Sequence, residues 1–184
     1  MYARSLSAVV CLAIALGTPA MAQKSASASQ NPALLYFTDV ALVDQDGKTQ
    51  RLYSDLLHGK IVIINSFFAE CKDSCPVMAG NLAKLQDLVG ERLGKDVYFL
   101  SFSVDPAKDT PEVLKAYAAK MKAKPGWFFL TGSKENVDFA LNKLGMHTDE
   151  RQNHVSLFII GNEPTGLWKK AEEKIDRARA ALGH

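Results

Sequence analysis

Phe67-Phe68-Ala69-Glu70-Cys71-Lys72-Asp73-Ser74-Cys75-Pro76 is the stretch on which the reading of this chain turns. Before it runs Lys60-Ile61-Val62-Ile63-Ile64-Asn65, a continuous apolar segment of the kind that forms a parallel strand buried on both faces. After it, Met78, Leu82, Leu85 and Val89 recur at helical spacing. The two cysteines are therefore predicted at a strand-to-helix junction, on or just before a helix N-terminus. Partial positive charge and unpaired backbone N–H groups at that place favour thiolate over thiol. The thiolate attacks disulfides and binds soft metals. The Cys-x-x-x-Cys spacing predicts both sulfurs on one helix face, one turn apart. They can then close on one metal ion or, at the edge of disulfide geometry, on each other. An inert staple is the plainer reading, but so short a loop gains little from cross-linking.

Working outward, 36–43 alternates like a strand, Asp46-Gly47 makes a turn, and 49–53 returns, giving a hairpin. His58-Gly59-Lys60 turns the chain into the buried strand. A second apolar strand spans 96–104. Thr110-Pro111-Glu112 carries the start signals of a helix whose inner face is expected at Val113, Tyr117 and Met121. A third strand is expected at 127–130. Ser133 caps a helix with Val137, Ala140, Leu141 and Leu144 inward, and Gly145 stops it. A polar loop over 146–153 leads to a fourth strand at 154–160 and a turn at 161–166. Trp168, Ala171, Ile175 and Ala178 suggest a closing helix. Strands alternating with helices, with an antiparallel hairpin at the edge, predict an α/β sandwich. A cysteine pair after the first parallel strand of such a unit points to a thioredoxin-like fold: a central mixed sheet flanked by helices, with an extra N-terminal β-hairpin.

The chain has 184 residues, 47% hydrophobic, and a net charge of +2. That suits one domain plus a targeting segment and gives no basic surface for nucleic acid or anionic membrane. Arg4, the apolar run 6–16 and Ala20-Met21-Ala22 read as a signal peptide over 1–22, too short in its apolar core for a membrane span. Residues 23–33 read as a flexible linker and 34–184 as the folded domain. The expected location is the periplasm, and the expected state a monomer. Cys11 leaves with the leader, so the exported chain carries only Cys71 and Cys75. In an oxidising compartment such a pair is a disulfide, a redox couple or a metal site.

Two thiolates leave a soft metal under-coordinated, and copper–thiolate sites commonly add imidazole. His58 falls in a turn and His184 at the terminus, and both are expected in solvent. His147 sits in the polar loop beside Asp149 and Glu150 and is read as a surface residue. His154 opens the fourth strand, where a thioredoxin-like fold faces its cysteines and usually places a proline, and is taken as the third ligand. Asp105 ends the strand beside the cysteine strand. It is either a site carboxylate or a turn-forming Asp-Pro.

The blocks Cys71-x-x-x-Cys75-Pro76, Ser103-Val104-Asp105-Pro106 with Asp109-Thr110-Pro111, Gly126-Trp127-x-Phe129-Leu130-Thr131-Gly132, and His154 together resemble the Sco/SenC family of copper-handling proteins. The resemblance covers roughly residues 36–170. It implies a thioredoxin fold and Cu(I) or Cu(II) held by Cys71, Cys75 and His154. It also implies delivery of copper, or of reducing equivalents, to the Cu-A site of cytochrome oxidase subunit II or to another periplasmic copper protein. Family members are usually membrane-tethered, whereas this leader reads as cleavable. The competing function is a periplasmic thiol-disulfide oxidoreductase in which Cys71 and Cys75 are the catalytic redox pair and His154 is incidental.

Overall fold

The computed structural model describes residues 31–71, 74–146 and 157–172. The side chains of 74–76, 157 and 172 are outside that description, as are residues 1–30, His147, His154 and His184.

Among the described residues, seven strands form one mixed sheet. They are β1 (Ala41–Asp44), β2 (Thr49–Arg51), β3 (Ile61–Phe67), β4 (Val97–Ser103), β5 (Trp127–Thr131), β6 (Leu157–Asn162) and β7 (Leu167–Glu172). Their order across the sheet is β2-β1-β5-β4-β3-β6-β7. The central β3, β4 and β5 run parallel, and β1, β2, β6 and β7 are antiparallel to their neighbours. Among the described residues, α1 (Pro32–Phe37) leads into β1, and α2 (Ser74–Val89), α3 (Pro111–Lys120) and α4 (Lys134–Leu144) connect β3 to β4, β4 to β5 and β5 to β6. This is the predicted thioredoxin-like α/β sandwich with its N-terminal hairpin.

The apolar run of β3 is buried on both faces because its alternate side chains enter different cores. Ile63 and Phe67 join Met78, Leu82, Leu85 and Val89 of α2 and Leu114 and Ala118 of α3. Val62 and Ile64 join Leu52, Leu56, Val137, Leu141 and Leu144 on the opposite face. Each fully buried Leu, Ile or Phe contributes roughly 1.5–3 kcal/mol, so β3 is fixed in register from both sides. Its position fixes that of the cysteine stretch that follows it.

Several local expectations give way to tertiary context. Tyr36 and Phe37 end a helix rather than begin a strand: the Asn31 side chain accepts the Ala33 N–H and Pro32 takes the first turn. Pro32 and Ala33, read as linker, already belong to α1. The returning strand stops at Arg51, and Leu52–Leu57 forms a π-helical turn that buries Leu52, Tyr53, Leu56 and Leu57. The inner face of α3 is Leu114 and Ala118, with Tyr117 and Met121 packed at its margin, while Val113 is 39% exposed. Gly161 and Asn162 remain in β6, and the turn is Glu163–Thr165 with Gly166 at φ 68°.

The largest correction concerns Trp168 and Ala171, which lie in β7 rather than in a closing helix. Trp168 pairs with Gly161 across the strands, and a Cβ on Gly161 would come within 2.3 Å of the indole. The bare glycine gives the ring a surface to lie on, and this cross-strand fit outweighs the helical spacing of Trp168 and Ala171. Ile175 and Ala178 lie outside the described residues.

Candidate functional site

β3 leaves the sheet at Phe67, whose ring packs on Tyr117 and Phe129. The Val104 N–H donates to the Phe67 carbonyl (2.8 Å), the last backbone tie between the ends of β3 and β4. A tight turn follows, closed by the Cys71 N–H on the Phe68 carbonyl (3.1 Å). Cys71 is half-buried and packs with Phe68 against the core under α2 and α3. α2 begins only at Ser74, so Cys75 stands in its first turn with Pro76. Cys71 is thus in the turn before the described helix, and Cys75 in that helix's first turn. The strand-to-helix junction is as expected; the shared face of the two sulfurs lies outside the described residues, because the Cys75 side chain does.

Below the junction runs a buried polar chain. Trp127 Nε1 donates to Ser101 Oγ (2.9 Å), Ser101 Oγ donates to Asn65 Oδ1 (2.7 Å), and Asn65 Nδ2 reaches Met78 Sδ (3.3 Å). It links β5, β4 and β3 to α2 just past Cys75, and its buried polar groups satisfy one another, as a dry interior demands.

Asp105 opens the β4–α3 loop. Its N–H donates to Ser103 Oγ (3.0 Å), and its carbonyl accepts from Lys108 and Asp109. The backbone therefore makes the turn expected of Asp-Pro. The carboxylate that enters the neighbourhood of the cysteine turn through a described contact belongs to Asp109. Only 1% exposed, it accepts the Ala69 N–H at 3.2 and 3.3 Å and the Ser103 hydroxyl at 2.5 Å. Burial pushes its pKa up, and the bonds from Ser103 and Ala69 pull it down without reversing that. Outside this buried tie, Lys108 Nζ meets Glu70 at 2.8 Å in solvent.

In the sequence Asp109 stands out only as part of the Asp109-Thr110-Pro111 block. A carboxylate between a strand end and the capping Thr110 is an ordinary helix-start signal, and nothing in its spacing shows that it turns inward to Ala69.

Among the described residues, no three His, Cys, Asp or Glu side chains are grouped to hold a metal ion. The Cys75 side chain, His147 and His154 fall outside them, so the predicted ligand set is represented by Cys71 and by the helical position of Cys75. The donor chemistry, two sulfurs with an imidazole, is that of a soft or borderline metal such as copper. His58 is in its predicted turn, 60% exposed, at the other end of β3.

The family model described as SCO1/SenC matches residues 28–163, a span containing both cysteines and His154. The SCO1 protein homolog of Bacillus subtilis is 39% identical over 102 residues, 53% of this chain and 51% of that protein. The chain spans about half the length of the curated relatives it matches first. BsSco, a Sco-family cytochrome c oxidase assembly protein in which a disulfide switch was identified, superposes with a TM-score of 0.65 at 28% identity, covering 77% of this chain and 88% of that one. Arabidopsis thaliana ScoI, solved with copper bound, gives a TM-score of 0.64 at 25% identity over 77% and 92% of the two chains.

Proposed function

From the premise that this chain belongs to the SCO1/SenC family, we propose that it is an exported copper-handling protein that takes copper as its cargo through the Cys71 and Cys75 thiolates and the His154 imidazole. The observation that carries the reading is the position of the cysteines. Cys71 lies in the turn that ends β3 and Cys75 in the first turn of α2. At a helix N-terminus the thiolates required for a soft metal are favoured. The copper-bound Arabidopsis relative supports the choice of metal. Copper, or reducing equivalents from the thiols, would pass to the Cu-A site of cytochrome oxidase subunit II or to another periplasmic copper protein. Residues 1–22 would direct export to the periplasm and be removed.

A second reading, a thiol-disulfide oxidoreductase, is favoured by the disulfide switch of BsSco. In it Cys71 and Cys75 cycle between dithiol and disulfide, and His154 has no part.

Anaerobic titration of the reduced protein with Cu(I) and with Cu(II) tests the choice. Cys71→Ser and Cys75→Ser should each abolish the thiolate-to-copper absorbance. His154→Ala should weaken Cu(II) by at least about 10–100-fold, the range already seen when only outer partners of a metal ligand are lost. His147→Ala should leave both unchanged. Cu(II) binding unaltered in His154→Ala would remove the imidazole from the site and leave the oxidoreductase. N-terminal sequencing of the exported protein should begin at Gln23; a full-length membrane-bound product would overturn the cleaved leader.

A further inference from the structure

We propose that Asp109 is the positioning residue of the cysteine site: its buried carboxylate pins the turn carrying Cys71 to the end of β4 and so sets where the first sulfur stands. The inference rests on the reading of Cys71 and Cys75 as the working pair.

Beyond the pair Phe67–Ser103 the sheet offers the turn no further strand register. Three residues separate that last rung from Cys71, long enough for the sulfur to wander by several ångströms if nothing holds the backbone. The turn's own bond, Cys71 N–H on the Phe68 carbonyl, ties it only to itself; Asp109 supplies a buried hold to the β4–α3 loop. Its own loop is already closed without Ala69: Asp109 N–H on the Asp105 carbonyl (2.9 Å), Asp105 N–H on Ser103 Oγ, and the Ser103 hydroxyl on Asp109 Oδ2. The Asp109 carboxylate also reaches out of this circuit to Ala69, two residues before Cys71 and forty residues away in sequence. Both carboxylate oxygens share this contact.

A loop needing only to close on itself would do so with an amide or hydroxyl, since burying a carboxylate is costly. Ligands and disulfide partners, by contrast, must be held to about half an ångström to work. Disulfide closure also requires the two Cα atoms within a window of about 4.4–6.8 Å.

The test compares wild type, Asp109→Ala and Asp109→Asn. The readouts are the equilibrium between the Cys71–Cys75 disulfide and reduced dithiothreitol, anaerobic Cu(I) and Cu(II) affinity, and urea unfolding. In the first, the protein disulfide takes two electrons and two protons from the dithiol, yielding protein dithiol and cyclic oxidised dithiothreitol. Asp109→Ala should shift this equilibrium toward protein dithiol about tenfold, a rise of about 30 mV. It should also weaken copper about 10–100-fold. Asp109→Asn, whose amide oxygen can still accept from Ala69 while its NH2 meets Ser103 Oγ, should stay within about threefold of wild type. If Asp109→Ala does not fold, Asp109→Ser replaces it, keeping a buried oxygen for its own loop but too short for Ala69, with the same expected loss.

Folded Asp109→Ala with an unchanged disulfide equilibrium and copper affinity would overturn the proposal. So would Asp109→Asn falling as far as Asp109→Ala, because charge rather than position would then be acting. A wild type that binds no copper while Asp109→Ala still shifts the disulfide equilibrium would retain the positioning role and retire the copper reading. The two failures are therefore distinct.

Discussion

At the N-terminal end of β3, Glu163 lies among Tyr53, His58 and Gly59. At the C-terminal end, Asp109 lies among Ser103 and Ala69. In both, burial pushes the carboxyl pKa up and hydrogen bonds pull it down. For Glu163 the bonds win. It accepts from the Tyr53 hydroxyl (2.7 Å) and the Gly59 N–H (2.8 Å), with His58 Nδ1 at 3.6 Å, and its pKa is lowered. For Asp109 burial wins, and its pKa is raised. The first carboxylate, its side chain 10% exposed, is surrounded by donors and fastens the 163–165 turn to the π-helical segment. The second is held in the interior at a net electrostatic penalty, beside the stretch that carries the cysteines. Structural ion sites resemble the first; sites where a fold tolerates a penalty for function resemble the second.

The largest effect that sharpens this contrast is expected from Tyr53→Phe. Its hydroxyl has one proton, given to Glu163. It therefore accepts from Asn31 Nδ2 (2.5 Å) and from His58 Nδ1 (3.0 Å), which must carry the proton in that tautomer. Burial, then the neighbouring Glu163, pushes the Tyr53 pKa to about 12, so the phenol stays neutral throughout the working range. Removing it strips a charged acceptor of its shortest donor and should cost about 1.5–3 kcal/mol at pH 7, read from urea unfolding. An effect below about 0.5 kcal/mol would mean that Glu163 is held by Gly59 alone.

A smaller effect follows from the opposite pKa shifts. Glu163 lies below its ordinary 4.5 in the folded protein. The stability it adds is present above pH 4.5 and is lost as pH falls through the lowered folded value. Asp109 lies above its ordinary 3.8. Its protonation favours the folded state, so the stability it contributes is full below pH 3.8 and is lost as pH rises through the raised folded value. Relative to Glu163→Gln, wild type should lose stability on acidification. Relative to Asp109→Asn, it should gain. Urea midpoints for the three proteins between pH 7 and 3 check both signs, and parallel slopes would erase the distinction between the two ends.

The parts of this architecture that could be read in the sequence are those fixed by local chemistry. The β3 run is apolar on both faces. Thr110-Pro111 and Ser133 cap α3 and α4, with Thr110 Oγ1 accepting from Val113 and Ser133 Oγ from Asn136. Gly145 ends α4 with φ 66°. The cysteines stand at the strand–helix junction because both flanking elements declare themselves. What escaped depends on partners distant in sequence. Trp168 joins a strand because Gly161 leaves room for it. Leu52–Leu57 winds into a π-helical turn because four of its side chains are buried. Asp109 matters because the chain folds back to present it with Ala69. The ligand role proposed for His154 rests on its place at the start of the fourth expected strand and on the family resemblance, since that residue lies outside the described structure.

The smallest effect concerns the outer tie between the same two loops. Glu70 and Lys108 meet at 2.8 Å, yet their side chains are 63% and 54% exposed. In water the attraction is weak, two long side chains must be ordered to form it, and salt screens it; such pairs contribute about 0–1 kcal/mol. Glu70→Gln should therefore change stability by less than about 0.5 kcal/mol at low salt, with nothing left at about 1 M salt, where the screening length is about 3 Å. The disulfide equilibrium with dithiothreitol should stay within about twofold of wild type, against the tenfold expected for Asp109→Ala, because a solvated pair yields where a buried hydrogen bond does not. Equal shifts from Glu70→Gln and Asp109→Ala would show that the cysteine turn responds to the charge of the β4–α3 loop as a whole. Asp109 would then hold no privileged place in it.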